Sequence, residues 1–258
     1  MSTGNEQAIQ DLTDQDILST MTNILTNAAN NEEPDDQIDV EIQSDMLFIL
    51  ASVCENDLHR KELFGTNGVD ILLKYLKKKP ELIWSGLGYQ KLIIATIDCI
   101  WSSVIGCMMN ENYFMEREGV FLLLDILEVG SQYFLFLQNC QLLIFIKASP
   151  KSMQNLILGS LLDLSDNIKS LAHLMQWEGK DNQKISHLLC NLWRLEEKEI
   201  GVERDEQGVI IDTAKPLASK EIEELKISLQ ANLPSRAIVE VSENMRAKIY
   251  GIFCKLGK

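Results

Sequence analysis

The chain has 258 residues and is 46% hydrophobic, enough apolar material for one large domain or two small ones. Its formal charge of −14 is uneven: residues 1–58 carry 13 acidic side chains and no lysine or arginine, while the remaining 200 hold 25 acidic and 24 basic. A near-neutral body behind an acidic lead lacks the clustered cations that a phosphate backbone requires, which speaks against a nucleic-acid-binding surface.

The first residues, "MSTGNEQAIQDLTDQD", show neither a basic n-region nor an apolar h-region, so no signal peptide is read. The six cysteines (54, 99, 107, 140, 190 and 254) form no C-x-x-C pair and fall mostly in apolar helical runs. Together these features predict a reducing, intracellular compartment. Residues 1–36 read as an acidic, flexible, solvated lead, with "DQDILSTMTNIL" as a short helix inside it.

From Ile38 to His59, Ile42, Met46, Ile49, Leu50 and Val53 recur at helical spacing. The polar break "ENDLHRKELFGTNG" follows, then the helix "VDILLKYLKKK", then a loop marked by Pro80, Gly86 and Gly88. The cycle restarts with the apolar helical run "KLIIATIDCIWSSVIGCMM", the break "NENYFMEREG" and the helix "VFLLLDILE". A third pass runs through "QNLILGSLLDLSD", "NIKSLAHLMQWEG" and "KDNQKISHLLCNLWRLEEK".

The phrases "TNGVDILLKYL" (66–76) and "REGVFLLLDIL" (117–127) therefore echo one another, each final helix opening at a glycine: Gly68, Gly119 and, in a worn copy, Gly179. A glycine there is expected to take φ > 0 in a sharp turn and to let backbones approach. One such unit cannot bury its own apolar faces, but stacked neighbours do. The predicted fold is an all-α, armadillo/HEAT-like α-solenoid of about three helical repeats over residues 37–198.

The glycines lie 51 and 60 residues apart, against roughly 40–47 for an armadillo or HEAT unit. The longer interval contains the Phe/Leu-rich segment 131–148, which lacks the repeat pattern and is expected to be an insert. Its core, "YFLFLQNCQLLIFI", is interrupted by Gln138, Asn139 and Gln141 and is shorter than the roughly 20 residues of a spanning helix, so it is not read as transmembrane.

Residues 199–258 read as an irregular, charged C-terminal extension. "RDEQGVIID" predicts a hairpin turn around Gln207–Gly208. "SENMRAKIYGIFCKLG" predicts a helix capped by Ser242 or Glu243, with Met245, Ile249, Ile252, Phe253 and Leu256 on one face. The sequence stops while still apolar, which predicts a piece of a longer protein, poor solubility and self-association.

No catalytic constellation emerges. His59, His173 and His187 lack neighbouring ligands at metal spacing and are assigned solvated or structural roles. Asp205, Gly208 and Ile210 weakly suggest a calcium loop but lack its alternating oxygens and terminal Glu. Ser149-Pro150-Lys151 fits a short proline-directed phosphorylation pattern. Catalytic, cofactor-binding and metal residues are therefore all expected to be none, with no cofactor and no small-molecule substrate. Protein–protein interaction is the expected function, the concave face of such a stack being suited to extended partners.

Four stretches resemble the cilia- and flagella-associated protein 69 family: "TIDCIWSSVIGC…ENYFMEREGVFLLLDIL" (96–127), "QNLILGSLLDLSDN…AHLMQWEGK" (154–180), "LWRLEEKEIGVERDEQGVIIDTAKPL" (192–217) and "SRAIVEVSENMRAKIYGIFCKLG" (235–257). The resemblance covers most of residues 40–257, and segment 131–148 departs from it. It implies a non-enzymatic armadillo-like scaffold of the ciliary or flagellar axoneme and cytoplasm. It places that scaffold at the central apparatus, in flagellum assembly and sperm motility, with other axonemal proteins as partners and neither nucleic acid nor membrane. A generic cytosolic armadillo adaptor binding an extended peptide is the alternative, but Trp101 and Trp193 are too few for the Asn/Trp ladder such adaptors carry.

Overall fold

The computed structural model describes residues 17–31, 36–56, 59–78, 88–139, 150–199, 202–211 and 244–257. Among them are ten α-helices: α1 (Ile17–Asn30), α2 (Gln37–Val53), α3 (Gly65–Leu76), α4 (Tyr89–Ser103), α5 (Met108–Glu116), α6 (Gly119–Asn139), α7 (Pro150–Leu164), α8 (Ile168–Gln176), α9 (Ile185–Glu199) and α10 (Met245–Leu256). One turn of π-helix, Arg60–Phe64, leads into α3.

These elements fall into three parallel layers. In the first, α2 packs on α4, α4 on α7, and α7 on α10. In the second, α1 packs on α3, α3 on α6, and α6 on α9. The third holds the short elements, namely the π-turn, α5 and α8. Each complete unit takes one element from each layer: α2, the π-turn and α3; then α4, α5 and α6; then α7, α8 and α9. That is the armadillo-like solenoid the repeats predict.

Burial explains the order. Helix α4 lies between α2 and α7, and its Leu92, Ile93, Ala95, Ile97, Cys99 and Ile100 are essentially inaccessible. Each fully buried leucine or isoleucine among these contributes about 1.5–3 kcal/mol. No isolated unit could cover that helix on both flanks.

The structure corrects the expected boundaries. Residues 17–30 are not part of a flexible lead. They form α1, which buries Leu18, Met21 and Leu25 and fills the second-layer position preceding α3. At the other end the expected helix with its apolar face is present as α10, and it joins the stack. It occupies the next first-layer position, burying Met245, Ile249 and Ile252. Its cap is Asn244, which accepts from the Ala247 amide at 3.0 Å; the expected caps Ser242 and Glu243 lie outside the described residues. The run 91–109 is two helices, broken where Gly106 adopts φ 81° and Cys107 extends. The expected break "NENYFMEREG" is mostly helix α5.

The glycine expectation is also corrected. Gly68 and Gly119 do not take positive φ; in the second unit the left-handed residue is Glu118, with φ 62°. What excludes a side chain is an aromatic ring. A Cβ would meet the Phe64 ring at 2.4 Å from Gly68, the Phe114 ring at 2.4 Å from Gly119, and the Trp177 ring at 2.5 Å from Gly179. In every unit the ring from the chain just before the second-layer helix sits where that glycine's side chain would be.

Of the expected insert, residues 131–139 continue α6, and 140–148 lie outside the described residues. Among the described residues, no helix is long and apolar enough to cross a membrane.

Candidate interaction surface

Several polar groups in the stack tie one unit to the next. Asp70 on α3 accepts from the Tyr113 hydroxyl at 2.8 Å, and Asp125 on α6 accepts from Trp177 Nε1 at 2.9 Å. A second-layer carboxylate thus receives an aromatic donor from the unit that follows, twice. Buried Glu128 accepts from the Lys180 amide at 3.0 Å. Fully buried Asn110 donates to the carbonyls of Arg60 (3.2 Å) and Ser103 (2.9 Å), pinning α5 to the π-turn. The Arg60 guanidinium donates to the carbonyls of Cys54 (2.6 Å) and Ile105 (3.1 Å). Trp101 Nε1 reaches Asp163 of α7 at 2.8 Å.

The histidines make local hydrogen bonds or face solvent. His59, expected in a polar break, is buried, with Nδ1 3.1 Å from the Val53 carbonyl. His173 Nδ1 lies 2.8 Å from the Lys169 carbonyl, beside the Phe121 ring. His187 is exposed on α9. The structure brings none of them together. No group of metal-ligating side chains converges among the described residues.

The 203–211 segment does form a tight turn, with Arg204 bridged to Ile210 and Gly208 at φ 82°. The Asp205 carboxylate is committed to the amides of Gln207 (3.0 Å) and Val209 (2.8 Å). The turn is locked onto α9 by Arg204, which donates to both Glu197 oxygens at 2.6 and 2.7 Å and to the Gly208 carbonyl at 2.6 Å. Trp193 Nε1 donates to the same Glu197 carboxylate at 2.7 Å. These hydrogen bonds, those from Arg204 foremost, hold the Glu197 carboxyl below the usual carboxylate range against the opposing effect of burial.

One surface feature among the described residues is an exposed apolar edge. Helices α5 and α8 are both nine residues long, and the first residue of each, Met108 and Ile168, is 75% and 83% exposed. Met109 is also exposed. Beside α5 lies a cavity of about 480 Å³ lined by Arg60, Lys61, Gly106, Cys107, Met108, Met109 and Asn112. Lys169 Nζ reaches Asn112 at 3.1 Å and Asn167 reaches Glu111 at 3.0 Å, so the starts of the two short helices form one continuous edge. Polarizable, flexible methionines on such an edge suit protein contact. Sequence reasoning passed over Met108 and Met109, reading them as the tail of a buried helix. The signal was Gly106-Cys107, which ends α4 before them.

The family model for cilia- and flagella-associated protein 69, ARM repeat, matches this chain in two overlapping pieces, residues 1–139 and 131–258. The chain is 46% identical over 254 residues to cilia- and flagella-associated protein 69 of Papio anubis, 45% to that of Homo sapiens and 42% to that of Mus musculus. In each case 98% of this chain is covered, and it spans about 25% of the relative's length. With a stack of armadillo-like units matched from end to end, the chain belongs to the cilia- and flagella-associated protein 69 family and is a ciliary or flagellar armadillo-repeat protein.

Proposed function

We propose that this chain is part of a non-enzymatic scaffold of the axoneme, positioned at the central apparatus, that supports flagellum assembly and motility through protein–protein contacts. Family membership supports the ciliary setting. The observation that carries the scaffold reading is the division of labour in the side chains. Ionisable and aromatic groups join one unit to the next, while the Met108, Met109 and Ile168 edge faces solvent. The peptide-adaptor alternative gains no support from the tryptophans, since Trp101 and Trp193 are committed to Asp163 and Glu197. Segment 131–148 is proposed as an insertion in the second unit, in keeping with the overlap of the two family-model matches at residues 131–139.

The test is to express the tagged full-length protein in motile ciliated cells, alone and with Met108→Glu plus Met109→Glu. The wild type is expected on the axoneme. The double variant, altered only at exposed positions, is expected to fold normally and to lose that localisation. Absence of the wild-type protein from the axoneme overturns the ciliary scaffold, and full retention of the variant overturns the role of this edge.

A further inference from the structure

The edge formed by the starts of α5 and α8 carries charge as well as apolar surface. Arg60 and Lys61 line the cavity beside Met108 and Met109, and Lys61 is exposed. The Arg60 guanidinium is held by the Cys54 and Ile105 carbonyls, so its place in the wall is set before anything docks. Gly106 leaves it room, since a Cβ there would lie 3.3 Å from Arg60 Nη1. From the α8 side, exposed Lys169 donates to Asn112, another residue of the wall, at 3.1 Å. Cys107 gives α5 no side-chain cap, so the positive end of that helix adds to the same field.

Two carboxylates of this edge are already engaged. Glu111 accepts from the Gly106 amide at 2.8 Å and from Asn167 at 3.0 Å, and Asp166 accepts from Lys255 at 2.8 Å. Arg60, Lys61 and Lys169 thus stand beside exposed Met108, Met109 and Ile168 in a chain whose formal charge is −14. So small a set of cations is too few to follow a phosphate backbone, where affinity is gathered over many contacts. The net negative charge of the chain likewise opposes an anionic lipid surface. Methionine adapts its shape to an apolar side chain laid against it. Lysine and arginine beside it form charge-assisted hydrogen bonds with carboxylates.

We propose that this edge docks an acidic protein segment. An apolar side chain of the segment lies against Met108 and Met109 at the mouth of the cavity, and aspartate or glutamate carboxylates on either side of it meet Arg60, Lys61 and Lys169. The proposal rests on the reading of this edge as a contact surface and adds the chemistry of its partner.

Selection of short random peptides displayed on phage against the full 258-residue chain tests it. The recovered peptides are expected to carry aspartate or glutamate around a large apolar residue. Fluorescence anisotropy of the labelled consensus peptide then reads affinity for the wild type and for two variants whose helix content is verified by circular dichroism. Lys61→Glu with Lys169→Glu, both at exposed positions, is expected to weaken binding by about tenfold. The same peptide with its acids changed to lysine is expected to bind that variant better than it binds the wild type. Recovery of no peptide, recovery of basic or uncharged peptides, or an affinity indifferent to the lysine reversal overturns the acidic partner. Met108→Glu with Met109→Glu separates the two readings. Peptides lost on the methionine variant but indifferent to the lysine reversal keep the edge as a contact surface and overturn only the acidic partner, whereas indifference to both variants overturns the edge as well.

Discussion

A single methyl group at Gly119 separates two opposing effects. Gly119 opens α6, where alanine is intrinsically favoured over glycine by up to about 1 kcal/mol. Its Cβ, however, would lie 2.4 Å from Cε2 of Phe114, far inside the ~3.5–4.0 Å of an ordinary carbon–carbon contact. The Phe114 ring is fully buried, so it cannot swing into solvent to make room. Overpacking of this kind costs about 1–3 kcal/mol. Gly119→Ala is therefore expected to destabilise by about 1–2 kcal/mol net. Gly159, in the middle of α7, supplies the control: its Cβ would meet only the end of Lys248 at 3.8 Å. Gly159→Ala is expected to stabilise by about 0.5–1 kcal/mol. Urea denaturation followed by circular dichroism compares the midpoints. A Phe114→Leu background should remove most of the Gly119→Ala penalty, because the clash is with the ring. Should Gly119→Ala prove as stable as the wild type, or the penalty survive in that background, the ring-for-side-chain account of the repeated glycine is wrong.

Four further expectations concern other parts of the stack. Glu197 is depressed in the folded state, so its contribution is fully present above the ordinary glutamate value of about 4.3 and is lost as pH falls through the lower folded value. Docking of the 203–211 turn, read by Trp193 fluorescence, should therefore hold at neutral pH and release only in acid. Arg204→Ala, which removes the part-buried hydrogen bonds to Glu197, should release the turn at neutral pH at a cost of roughly 1.5–3 kcal/mol. Burial pushes the Cys54 thiol up to about 12 against the nearby Arg60 charge, and raises Cys99 as well. Iodoacetamide at mildly alkaline pH should label exposed Cys190 and Cys254 and spare both, as read by peptide mass spectrometry. Tyr75→Phe strands the buried Gln43 carbonyl, which accepts from the hydroxyl at 2.9 Å, and should lower the urea midpoint by the equivalent of about 1–3 kcal/mol.

Much of this molecule was legible in the sequence because helical periodicity and a repeated turn are local signals. The apolar spacing in α4 and α7 predicted buried helices, and the Gly68 and Gly119 echo predicted equivalent helices in successive units. Both rest on interactions a few residues apart. In α2 the spacing found the helix but misplaced its buried face, since Ile42 and Ile49 are exposed while Val40, Leu47 and Leu50 are buried. Where a neighbour in space decided the outcome, the reading failed. The acidic composition around α1 suggested a solvated lead. Leu18, Met21 and Leu25 are enough to dock it, though, once α3 presents the complementary face. For α10 the helix and its apolar face were read correctly, but its place in the first layer was not, because that depends on α7 as a partner. The interaction edge was the least legible part, because Met108 and Met109 have the composition of core residues and only the kink at Gly106 turns them outward.

By itself, then, the sequence determined that the protein is helical, repetitive and punctuated by glycine, since backbone conformation and apolar period are set by near neighbours. Tertiary structure alone decided that an aromatic ring occupies each of those glycine positions. It also decided that two flanking helices join the stack, and that apolar side chains alike in composition divide between core and surface. Each of these depends on which distant face is present to be covered, and no local pattern encodes that.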